Sequence, residues 1–90
     1  MEESMSKVFD VIPDRARALI IEELARRNPV LLAELRTAER PTNDQSDGVV
    51  LGVLAPALRE NFWPDYVPNE YGLAIEAAID AYLEAWPIHR

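Results

Sequence analysis

Residues 47 to 62 read DGVVLGVLAPALRENF, and the class of the fold turns on whether they form a strand or a helix. The run from Val49 to Leu54 is β-branched and apolar enough for a strand. Against that, Val50, Leu54, Leu58 and Phe62 recur every four residues straight through Pro56, which places them on one helix face. A proline inside a helix removes one backbone bond and kinks the axis, at a cost of up to ~3 kcal/mol unless packing relieves it. The four-residue recurrence predicts a helix here. Gly48 and Gly52 then either admit a close neighbouring helix or are simply small residues beside a kink.

Upstream, the chain divides into short helical pieces. In SMSKVFDVI, Met5, Val8, Phe9 and Ile12 have helical spacing. Pro13 suits the first turn of a second helix, with Asp14 near its N-terminus and Ala16, Leu19, Ile20 and Leu24 as its buried stripe. Glu22–Arg26 and Glu23–Arg27 are i, i+4 ion pairs in the favourable orientation. Asn28 and Pro29 read as N-cap and first residue of a third helix, which is expected to run to about Arg40 and to bury Leu31, Leu32 and Leu35. PTNDQSDG, residues 41 to 48, reads as a loop, polar and rich in turn formers.

Downstream, NFWPDYVPNEYG at residues 61 to 72 holds four of the chain's seven aromatics. Phe62 and Tyr71 complete helix stripes. Trp63 and Tyr66 belong to neither period, and Pro64 and Pro68 stiffen the connector that carries them. Asn69 is a good N-cap for a final helix that Pro87 stops. Along it, Tyr71, Ile75, Ala78, Ile79, Tyr82 and Trp86 share one arc. Glu76, Asp80 and Glu84 lie opposite, and Ala77, Ala81 and Ala85 form a smooth side arc.

The expected architecture is therefore all-α: a compact bundle of four to five helices, one domain over residues 1–90, with a Pro-rich aromatic connector before the C-terminal helix. With 49% hydrophobic and 28% charged residues, a folded chain is expected rather than a disordered one. No apolar run is long enough for a bilayer, and the acidic N-terminus lacks the pattern of a signal peptide. A cytoplasmic location is the expectation, since no cysteine provides a disulfide or thiolate site. Twelve alanines and a single lysine, Lys7, fit a high-GC bacterium or its phage.

Catalytic and cofactor motifs are missing. The lone histidine, His89, cannot build a triad or a zinc site by itself, so no enzyme, cofactor or metal is expected. Asn43, Asp44 and Asp47 resemble calcium oxygens, but no closing glutamate follows at the required spacing. A helix-turn-helix reading of RRNPVLLAELRTAER would use Arg26, Arg27, Arg36 and Arg40 on phosphates. Glu22, Glu23, Glu34 and Glu39 are interleaved with them, so a DNA-binding regulator is only an alternative.

Charge carries the functional signal. Nine Lys and Arg face sixteen Asp and Glu, and residues 41 to 90 set only Arg59 and Arg90 against eight carboxylates. Such a surface repels nucleic acid and attracts a basic protein. Glu76, Asp80 and Glu84 stand at i, i+4 with no cation among them, an arrangement that stability alone would avoid. Rigid aromatics beside carboxylates match the make-up of interface hot spots. Trp63, Asp65 and Tyr66 are thus the expected anchors, with Glu70, Glu76, Asp80 and Glu84 steering a basic partner. In size, acidity, helical content and proline-stiffened aromatics, the chain is similar in style to small immunity proteins that neutralise bacterial nuclease toxins. The likeness covers no extended motif and assigns no residue, but it implies a non-enzymatic inhibitor, immunity or antitoxin protein. The alternative is a structural subunit or homodimer, joined through apolar surface at Val49, Val53, Leu73 and the alanine arc.

Overall fold

The computed structural model of the protein describes residues 7–61 and 69–88. Met5, Phe62, Trp63, Asp65, Tyr66 and His89 lie outside the described residues. Regular structure within them is entirely helical: α1 (Lys7–Asp10), α2 (Asp14–Arg27), α3 (Pro29–Arg36), α4 (Asn43–Val49), a π-helical segment (Val50–Leu54), α5 (Ala55–Arg59) and α6 (Glu70–Ala85). Because α4, the π segment and α5 run on without a break, the described residues hold five helical bodies, as the all-α reading expects.

The stretch that decided the fold is helical, with a device the recurrence alone does not reveal. At its centre the Ala55 N–H reaches back five residues to the Val50 carbonyl. Pro56 has no N–H, and its ring crowds the carbonyl four residues earlier; one widened turn relieves both problems. Val50, Val53, Leu54 and Ala57 stay in the core across it.

Two boundaries differ from expectation. PTNDQSDG is not a loop: α4 begins inside it. The Thr42 side chain accepts from the Gln45 N–H, and Gln45 Oε1 accepts from the Thr42 N–H, both at 3.0 Å. This capping box satisfies two backbone donors and turns a polar run into a first helical turn. α3, conversely, stops at Arg36 rather than Arg40. Thr37 bonds the Glu34 carbonyl through Oγ1 at 3.2 Å, and the approaching Pro41 disfavours helical backbone at Arg40.

Other caps follow the sequence. Asn28 accepts from the Leu31 N–H at 3.1 Å and Asn69 from the Gly72 N–H at 2.8 Å. One cluster of buried side chains draws on all the helical bodies, with Ile20, Leu24, Leu35, Leu54, Ile75 and Tyr82 among the fully buried residues. α2 and α6 pack antiparallel as the principal pair, Glu23 meeting Tyr71 at one end and Ala16 lying near Ala77 and Ala78 further along. The Trp86 indole donates to the Val8 carbonyl at 2.9 Å, tying α6 to α1.

The packing also corrects the proposed self-association surface. Val49 and Val53 are 0% and 1% exposed, core residues with no surface to offer a second chain. The two glycines separate as well. A Cβ on Gly48 would lie 2.9 Å from Leu31 Cδ2, whereas one on Gly52 would meet nothing within 4 Å.

Candidate functional site

Glu76, Asp80 and Glu84 are all exposed on α6, with Glu70 exposed in its first turn. None of the four pairs with a cation among the described residues. The basic residues of α2 are differently placed. Arg17 pairs with Asp14, Arg26 lies 3.4 Å from Glu22 and 3.5 Å from Glu23, and Arg27 is held by two glutamates. Three of the four cations of α2 are thus engaged by neighbouring acids, Arg15 being the exception among the described residues, and α6 carries no cation at all. The expected aromatic anchors Trp63, Asp65 and Tyr66 lie outside the described residues, so the structure brings together only the acidic part of the predicted site.

The residues flanking that connector join the expected Glu23–Arg27 pair in a wider network that the sequence did not reveal. Glu23, although 0% exposed, keeps its charge by bonding. Its Oε1 accepts from Arg27 Nε at 2.8 Å, and its Oε2 accepts from the Tyr71 hydroxyl at 2.5 Å. Arg27 then reaches Glu60 with both terminal nitrogens, at 2.6 and 3.2 Å. A bidentate fork of this kind fixes geometry as well as charge. Beyond it, the Asn69 N–H donates to the Asn61 carbonyl at 2.9 Å, and Asn61 Nδ2 donates to the Ala57 carbonyl at 2.7 Å. The chain therefore leaves α5 and enters α6 at two asparagines bonded to each other, both anchored by their own helix ends.

Electrostatics follow the same contacts. Burial opposes ionisation of Glu23, yet the Tyr71 hydroxyl, Arg27 and Arg26 outweigh it and hold the carboxyl below its usual range. Hydrogen bonding to Arg27 lowers Glu60. Tyr71 is pushed up to about 12, by burial first and by the Glu23 carboxylate second. Tyr82 is raised by burial, against its 2.9 Å hydrogen bond with the buried Ser46. Glu23 is consequently ionised and fully engaged at neutral pH, a structural carboxylate rather than an available base. Its i, i+4 spacing to Arg27 was legible; its burial was not, because that depends on Tyr71 arriving from α6.

Two concavities adjoin these features. A groove of about 190 Å³ between α2 and α6 is lined by Arg15, Ala16, Leu19, Ala74, Ala77 and Ala78. A more open cleft of about 270 Å³ lies between α3 and α4, with Glu34 and Asp44 on its walls and Gln45 donating to Glu34 at 3.3 Å. Among the described residues, no group of three His, Cys, Asp or Glu side chains is placed to hold a metal ion. No helix there is long and apolar enough to cross a membrane. No family model, no curated protein and no solved structure matches this chain.

Proposed function

We propose that the protein is a non-enzymatic binding module that occupies a basic surface of a partner protein, in the manner of an inhibitor, immunity protein or antitoxin. The observation that carries this reading is the α6 ridge: Glu76, Asp80 and Glu84, exposed at i, i+4 with no cation beside them among the described residues. Like charges so spaced oppose each other, and one arginine would have relieved them. A complementary basic surface relieves them equally well, and long-range attraction speeds the encounter. Glu70 extends the acidic face to the start of α6, next to the connector that bears Trp63, Asp65 and Tyr66 in the sequence.

The helix-turn-helix alternative is less favoured, because Arg26 and Arg27 are engaged by Glu22, Glu23 and Glu60. The deciding experiment is capture of a partner from native bacterial lysate, followed by mass spectrometry and association kinetics. A basic protein is expected, with an on-rate that falls as salt rises. Glu76, Asp80 and Glu84 changed together to Gln should slow capture, and Trp63→Ala should speed release. If both variants capture the partner as the parent does, the reading fails.

A further inference from the structure

The groove between α2 and α6 adds a shape to the acidic face. Its floor is small and apolar (Ala16, Leu19, Ala74, Ala77 and Ala78), and α6 presents Leu73, 55% exposed, one turn from Ala77. Alanines on neighbouring antiparallel helices leave a furrow into which a third helix can lay its side chains. The volume of about 190 Å³ has room for a couple of aliphatic side chains. Charge is unequal on its two edges. The α6 edge belongs to the helix whose exposed face carries Glu70, Glu76, Asp80 and Glu84, none of which lines the groove itself, whereas the α2 edge carries Arg15, which has no ion pair among the described residues.

We infer that this groove receives an amphipathic helix of the partner protein, its aliphatic side chains in the furrow and its lysines or arginines on the flank that crosses α6. The inference rests on the acidic-face reading and specifies its partner. On the flank facing Arg15, the occupant is neutral or acidic. A second copy of this chain is disfavoured as occupant, because its net charge of −7 would be brought against the same ridge.

The test uses the full chain and two helical peptides of identical charge. One has leucines at i and i+4 with lysines along one flank; in the other, serines replace the leucines. Fluorescence anisotropy should show the leucine peptide binding at least about tenfold more tightly. That preference should vanish in Ala77→Phe and in Ala74→Phe, whose rings fill the furrow from exposed positions, with circular dichroism unchanged. Equal affinity for the two peptides, or a leucine preference that survives both phenylalanine variants, overturns the groove inference. So does sedimentation of the free protein as a dimer that Ala77→Phe dissociates. The acidic-face reading is decided separately, by the salt dependence of partner capture, and survives each of those results.

Discussion

At Glu23, burial and bonding act in opposite directions on one carboxyl, and the outcome has a measurable sign. Glu23 and Glu60 both hold protons less readily in the folded chain than at the ordinary carboxyl value of 4.5. Their contribution to stability is therefore complete above that value and is lost as pH falls through the lowered folded values. Tyr71 works in the other direction. Its folded value of about 12 exceeds the ordinary 10.0, so its contribution is present below 10 and lost as pH rises towards 12. Urea unfolding should thus show a decline at each end of the pH range. Glu23→Gln should flatten the acid limb, leaving the part due to Glu60; Tyr71→Phe should flatten the alkaline limb, leaving the part due to Tyr82. At neutral pH, Glu23→Ala should cost roughly 1–3 kcal/mol, because it strands the Tyr71 hydroxyl and the Arg27 Nε–H. The glycines offer a second comparison. Gly52→Ala should stabilise by roughly 0.5–1 kcal/mol, its Cβ meeting open space in a helical backbone. Gly48→Ala must displace the Leu31 methyl and should give back most or all of that gain. Equal midpoints for the two variants would contradict this packing.

Among the elements, α4 depends most on its end. Seven residues rich in Asn, Asp, Ser and Gly have little intrinsic helical preference, so the Thr42–Gln45 box and the helical continuation beyond Val49 hold them. Thr42→Ala should cost about 1 kcal/mol in thermal or urea unfolding. Hydrogen exchange should rise first at the amides of α4's opening turn. An unchanged midpoint would show that packing of Ser46 and Val49 alone suffices. The π segment is the complementary case. There, one proline sets the local geometry while side chains on either side keep their places in the core.

For the whole molecule, the ridge on α6 separates stability from binding. Glu76–Asp80 and Asp80–Glu84 are two repelling pairs, each worth about 0.2–0.5 kcal/mol. Replacing all three carboxylates by Gln should therefore stabilise the protein by roughly 0.4–1 kcal/mol while weakening capture of a basic partner. A variant that gained stability and kept its affinity would assign the ridge to solvent alone. Unequal charge along the chain gives this face its field. The eight carboxylates of residues 41 to 90 face only Arg59 and Arg90, whereas in the first half Arg17, Arg26 and Arg27 lie beside acids of their own helix.

Periodicity and capping chemistry are local properties, and the all-α class, the α6 stripe, the caps at Asn28 and Asn69 and the exposed acidic ridge could all be read from residues a few positions apart. Thr42-x-x-Gln45 was equally local, and its polar surroundings masked it as a loop. The remaining features needed distant parts of the chain to meet. Glu23 is buried because Tyr71 arrives 48 residues later in sequence. Val49 and Val53 are core because α4, the π segment and α5 pack inward, and Gly48 is tight only because Leu31 lies against it. The groove exists only because α2 and α6 run side by side. Local pattern therefore determined which residues form helices and where negative charge is displayed. Tertiary packing alone decided which carboxylate is buried and what shape adjoins that charge, since burial is a property of contacts between elements and not of any one of them.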